Sequence, residues 1–309
     1  MKTRSITEGA MLAAITVLLT IIGEYLGLPA LIIPVPLALL SFRHGYKLGI
    51  TMSFASAVVA SLIAGHVFSG VTIVIWGFLG IALGMALREN FSFAKTLGVG
   101  IAANLVSLGL QVVFYSLIFG INLFQDYGNL ITDVFEQTVS LYQSMGAPSE
   151  MLGQLEAMRT TATMVVKWGL PSIVLISSVT AAFINLAVVR LVLRRMGTQV
   201  PWVRPFIYWR LPRWTGIVLI ASLLLLGLGG PEGGFLYRIG FNLLLVMVPA
   251  HLVVGTALVW YYFNRWKVPL VLRIILVYFL AVGPLFLGVV VAAMVDSVYS
   301  LRREPARQD

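Results

Sequence analysis

The sequence predicts an all-α fold: a polytopic transmembrane helical bundle. Three observations carry this. First, the 309 residues are 59% hydrophobic and 11% charged, with a mean hydropathy of +0.96, whereas soluble domains run about 45–50% apolar and about 25% charged. Second, apolar runs of transmembrane length recur along the chain, where a membrane barrel would show short alternating segments. Third, the Lys and Arg residues behind the net charge of +9 gather beside apolar runs. The clusters are Lys2/Arg4, Arg43/Lys47, Arg190/Arg194/Arg195, Arg204/Arg210/Arg213 and Arg265/Lys267. This is the positive-inside pattern of cytoplasmic loops. It directs the charge at topology and anionic lipid, with no nucleic-acid partner expected.

Each element follows in order. The first run, about 7–28, carries no small-residue cleavage site and reads as a retained helix that Pro29 stops. The piece at 30–42, interrupted by Pro34 and Pro36, is too short for a straight crossing and reads as a thin, broken span or a re-entrant turn. Spans follow at about 48–64, 71–87 and 96–119. The polar interval 120–163 holds Asp126, Asp133, Glu136, Glu150 and Glu156 against Arg159. Leu130, Val134, Phe135, Val139, Tyr142 and Met145 recur within it at helical spacing, so 121–162 reads as an extracytoplasmic amphipathic insertion broken at Gly146-Ala147-Pro148. A sixth span at about 164–193 ends on Arg194 and Arg195, and residues 196–213 form a basic cytoplasmic link. Further spans are expected at about 215–228, 235–263 and 269–298, with a polar tail at 301–309. The domain reading is a six-helix unit over 1–195 and an appended group over 214–300.

Counting these crossings from an inside amino terminus puts the tail outside, yet Arg302, Arg303 and Arg307 argue for inside. The preferred resolution is a bend of the final run near Gly283-Pro284 that makes it cross twice, or a tail that violates the rule. Discounting the 30–42 piece instead would move the Arg-rich link outside.

Enzyme signatures are absent. There is no P-loop and no H-E-x-x-H, the three histidines are scattered, and the chain has no cysteine. No cofactor or metal is therefore expected. Small-residue faces stand out instead. Gly9/Ala13 and Ala10/Ala14 form two adjacent stripes on the first span, and Gly77, Gly80 and Gly84 a smooth face on the fourth. Such faces let backbones approach closely, either within the bundle or against a partner helix. Polar residues within spans are functional suspects. Glu24, His66, Trp76, Gln111, Tyr115 and Lys167 all fall in the outer half of the expected topology, where they could line a pocket for a small polar or amphipathic ligand. The competing reading makes Glu24 and Lys167 an ion pair and the aromatics an interfacial belt. Asn104, Asn185 and Asn242 suit interhelical hydrogen bonds.

The opening Thr7-Glu8-Gly9-Ala10-Met11-Leu12-Ala13-Ala14 resembles the first helix of the S components of energy-coupling-factor vitamin transporters. The Pro34/Pro36 piece with Leu37 to Gly49 resembles their short second helix and the Gly turn after it. The likeness covers about residues 5–195. It implies a substrate-binding membrane subunit without its own ATPase, docked through its small-residue stripe on a membrane coupling subunit. The whole chain, including Val295-Asp296-Ser297 and Arg302/Arg303, resembles the YybS-type family of bacterial multi-pass membrane proteins, which implies a bacterial cytoplasmic membrane. The long acidic interval and the last three spans extend beyond the S-component pattern. A non-transporting scaffold in envelope biology is the alternative function.

Overall fold

The computed structural model describes residues 2–120, 122–230 and 234–302, excepting the side chains of 2–4, 123, 124 and 282, so Arg303 and Arg307 lie outside the described residues. These residues form helices α1 Lys2–Leu26, α2 Pro34–His44, α3 Tyr46–Ala64, α4 Val67–Arg88, α5 Phe93–Phe119, α6 Leu123–Ser144, α7 Ser149–Trp168, α8 Leu170–Arg195, α9 Trp214–Leu228, α10 Phe235–Arg265, α11 Leu270–Val282 and α12 Phe286–Tyr299. Six of them (α1, α3, α4, α5, α8 and α10) are long and apolar enough to cross a membrane. The chain divides into two units. One is Met1–Leu130 with Val174–Trp202, the other Ile131–Ile173 with Val203–Asp309. The acidic interval beyond residue 130 thus groups with the C-terminal helices, where the sequence reading assigned it to the first unit.

The first unit is built around its shortest helix. Gly27, at φ 70°, and Pro29 end α1, a 3-10 turn over Leu28–Ile32 follows, and Pro34 opens α2. Eleven residues reach only about 16 Å, roughly half the hydrocarbon thickness. All of Pro34 to Ser41 is buried, with α1, α3 and α4 packed around the helix and Leu186, Val189 and Leu193 of α8 in the same core. The broken backbone before α2 needs internal partners. Asn185 on α8 supplies one, donating from Nδ2 to the Leu31 carbonyl at 3.0 Å.

Close approach to α4 explains its glycines. A methyl group at Gly80 would strike the Pro34 carbonyl, and one at Gly84 the Ala38 carbonyl. At Gly77 it would meet Ser53 Oγ at 2.7 Å and Leu37 Cδ1 at 2.9 Å. The Gly77/Gly80/Gly84 face is therefore filled from within the chain by α2 and α3. The two stripes of α1 part company. Gly9 and Ala13 are buried against α3, where Met52 covers Gly9 and Ser56 donates to the Ala13 carbonyl at 3.3 Å, whereas Ala10 and Ala14 are exposed. At one end of the unit Glu8 pairs with Arg43 and, at 3.0 Å, with His44, tying the start of α1 to the end of α2.

In the second unit α9 and α12 pack on α10. The polar interval forms α6 and α7, parted by a turn at the expected Gly146-Ala147-Pro148. Helix α7 runs on to Trp168, so Lys167 and Trp168 end this helix rather than begin the sixth span. Gly169 and Pro171 cause the break, since Pro171 has no N–H to continue the earlier helix but suits the first turn of α8. Asn242 of α10 bridges the break. It donates to the Trp168 carbonyl at 2.7 Å and accepts from Ser172 N at 3.2 Å and Ser172 Oγ at 2.8 Å. Asn242→Ala is expected to cost about 0.6–1.7 kcal/mol, the range of interhelical bonds in membranes, measured by denaturation in detergent. A wild-type stability would contradict the bridge.

The final run does not cross as one straight span. Its two helices, of 13 and 14 residues, bend by 96° at the 283–285 break. Neither half, about 20 Å long, spans the hydrocarbon alone. The chain instead returns to the end of α10 from which it left. Tyr262, in the last turn of α10, donates to the Leu301 carbonyl at 3.0 Å, and Arg302 donates to the carbonyls of Ile207 and Trp209 in the basic link at 2.6 Å each. Ile207 and Trp209 of the link and residue 302 thus lie at one end of this unit, and each half of the bent pair is too short for the two crossings expected.

Candidate ligand-binding site

Helix α4 packs between α3 and α5, leaving a groove above its exposed side. Small residues make the floor shallow-walled at one end: Gly70 sits against the Ala57 carbonyl, and Ala57 and Ser61 lie beside it on α3. The walls are Val58 and Leu62 of α3 and Leu110, Val113, Phe114 and Leu117 of α5, with Val71 and Val74 below. The groove encloses about 700 Å³ and opens outward, and Ser61 is the sole polar side chain of its lining. That volume lies in the range of about 300–1,000 Å³ usual for small-molecule sites. An apolar chain fits here, and a charged molecule alone does not.

A polar and aromatic cluster adjoins one end. Glu24, near the end of α1, accepts a hydrogen bond from Ser69 Oγ and has His66 Nε2 at 3.7 Å. Ser69 is wholly buried, while the Glu24 and His66 side chains keep 31% and 45% of their exposure, so both remain reachable. His66 sits in the turn that Gly65 makes between α3 and α4, directly before groove residue Val67, and Ser69 directly precedes groove residue Gly70. Phe68 stacks on Tyr115 and Phe119 of α5, with ring centroids 5.5 and 4.4 Å apart. Glu24, His66 and Tyr115 are thereby gathered around one turn, with an apolar groove running from it.

The other expected residues stand elsewhere. Trp76 of α4 and Gln111 of α5 are half-buried and absent from the groove lining. Lys167 is exposed in the second unit, with its ammonium 5.5 Å from the Trp168 ring centroid. It lines a pocket of about 370 Å³ with Thr132, Arg159, Thr160 and Thr163. Glu156 bonds Arg159 Nε and Nη2 at 3.1 and 2.6 Å, and this hydrogen bonding holds the guanidinium above its ordinary pKa. The partners of Glu24 are thus Ser69 and His66 in its own unit.

Sequence reasoning named Asp296 and Arg302 but did not pair them. Both side chains are wholly buried, with Arg302 Nη2 2.6 Å and Nε 3.1 Å from Asp296 Oδ2, and Arg210 Nε is 3.3 Å from the same oxygen. Arg210 also donates to the Arg302 carbonyl at 2.8 Å. Such buried charges persist only when paired and hydrogen-bonded. His251 is likewise buried, its Nδ1 donating to the Met247 carbonyl at 2.8 Å. Among the described residues no group of three or more His, Asp or Glu side chains is arranged to hold a metal ion.

Comparisons place this architecture among known sequences. No solved structure matches the chain. It is 23% identical to "Uncharacterized protein YybS" of Bacillus subtilis (strain 168) over 315 aligned residues, covering 98% of this chain and 99% of that protein. Residues 11–297, from the first helix to the buried Asp296 cluster, match the family described as "Predicted membrane protein (DUF2232)". The chain therefore belongs to the DUF2232 family of membrane proteins.

Proposed function

We propose that this membrane protein is a binding subunit for an amphipathic small molecule, associated with transport and without an ATPase of its own. The observation that carries the reading is the apolar groove of α3, α4 and α5 adjoining the Glu24–His66 pair. An alkyl or isoprenoid portion lies along Val58, Val74 and Phe114, and a hydrogen-bonding or cationic head meets the Glu24 carboxylate. Beside an apolar groove that partly exposed carboxylate discriminates between heads more strongly than it would in bulk water. The site lies in the outer half of the bilayer if the basic end of its own unit at Arg43 faces the cytoplasm. Without a P-loop, movement of the ligand needs a partner ATPase or an ion gradient. The exposed Ala10/Ala14 stripe supports a membrane coupling subunit as that partner.

Mass measurement after mild purification tests this. The wild-type protein is expected to retain one discrete adduct, and Val74→Trp, which fills the open groove, to lose it while remaining folded. Glu24→Gln is expected to weaken retention by about ten- to a hundredfold, the loss of one charge-assisted hydrogen bond worth about 1.5–3 kcal/mol. Equal lipid populations on all three proteins would overturn the reading. They would favour the scaffold alternative, in which the clamped basic end of the second unit holds a cytoplasmic partner.

A further inference from the structure

We infer that Arg190, Arg194 and Gln199 form a site for a phosphate group, supplied by the headgroup of an anionic phospholipid. The two arginines stand four positions apart on one face of α8, where like charges repel. Among the described residues neither has a carboxylate within ion-pair distance. An external anion would supply the counter-charge that the described residues do not. Arg190 is half-buried and its guanidinium lies 4.6 Å from the centre of the Trp202 ring. That ring is itself fixed by Phe93 at 5.2 Å and Phe183 at 5.8 Å. The guanidinium is thus held over an aromatic ring, a cation–π contact that leaves N–H donors for an oxyanion, and guanidinium donors suit phosphate. Arg190, Arg194, Gln199 and Val200 enclose a concavity of about 290 Å³, in which the Gln199 amide adds a neutral donor.

Position in the fold names the source of the phosphate. The apolar stretch of α8 runs to Leu193, so Arg190 and Arg194 straddle its end, at the depth where a span meets lipid headgroups. Trp202 packs at the same level, as interfacial tryptophans do. A phosphate borne by a lipid arrives there already immobilised beside the helix, whereas free phosphate must leave bulk water.

The plain alternative is that these arginines only set topology and complement the α8 dipole, for which lysine serves as well. The test therefore keeps the charge. Purified full-length protein is titrated with phosphatidylglycerol, phosphatidylcholine or inorganic phosphate, and bound molecules are counted by native mass spectrometry. Wild-type protein is expected to bind phosphatidylglycerol at least tenfold more tightly than phosphatidylcholine, and millimolar inorganic phosphate should not displace it. The double variant Arg190→Lys, Arg194→Lys is expected to lose that tenfold preference, while Arg195→Lys, outside the concavity, keeps it. Gln199→Leu offers a milder second variant, with a partial loss, should the double change impair folding. Unaltered binding by both variants would overturn the site. Displacement of the lipid by inorganic phosphate would overturn the lipid source.

Discussion

Asp296→Ala is expected to destabilise the C-terminal unit by about 3–5 kcal/mol, the cost of removing one partner from a buried ion pair. The loss is large because Arg302 is wholly buried and its guanidinium then faces only carbonyls. Arg210 loses the same oxygen but keeps 20% of its side-chain exposure, so water relieves it in part. Arg302→Met alone leaves the carboxylate to Arg210, at 3.3 Å, and is expected to cost somewhat less. The double variant Asp296→Ala, Arg302→Met removes both buried charges and should recover most of the loss. Thermal denaturation of the four proteins in one detergent reads the cycle directly. Additive losses would show that the two residues do not act as a pair. The same variants report on the return of the chain to the basic link, because Arg302 is the residue that ties them together.

Gly80→Leu is expected to be the corresponding damaging change in the first unit. Even a methyl group there strikes the Pro34 carbonyl, which belongs to backbone and has no rotamer by which to move aside. Overpacking of a filled core costs about 1–3 kcal/mol and occasionally more, and a Leu side chain must separate α2 from α4 along their whole contact. Gly84→Leu meets the Ala38 carbonyl in the same way. Gly98 on α5 supplies the control: a methyl group there meets nothing within 4 Å, so Gly98→Ala should gain about 0.5–1 kcal/mol of helix propensity. Equal tolerance of substitution at Gly80 and Gly98, read from folded yield and melting temperature, would contradict the packing of α2 described here.

These expectations separate what the sequence states from what it conceals. Composition and charge clustering make the helical membrane class plain, since no other environment tolerates so few charges. The roles of Asn104, Asn185 and Asn242 follow from the cost of a buried amide: Asn104 and Asn242 meet partners on another helix, and Asn185 the turn before α2. Gly283-Pro284 announces the bend of the final run. The break at Gly169-Pro171 carries an equally local signal, but the continuous apolar character around it concealed the end of α7. The groove has no local signal at all. Val58, Val74 and Phe114 read as ordinary lipid-facing residues, and only the placement of α4 between α3 and α5 makes a concavity of them. Depth alone grouped Glu24 with Trp76, Gln111 and Lys167. The helical face, which depth does not fix, brings Glu24 to His66 and Ser69 instead.

The most direct measurement of the binding role uses a photo-reactive side chain at Val113, on the α5 wall of the groove. The protein is irradiated in its own membrane, and the mass of whatever becomes attached is determined. A matching probe at Leu272, exposed on α11, reports what the surrounding lipid alone supplies. The proposed function predicts one recurrent adduct at Val113 that is absent at Leu272, and that Val74→Trp abolishes. Adducts at Val113 that merely repeat the lipid composition found at Leu272 would contradict it.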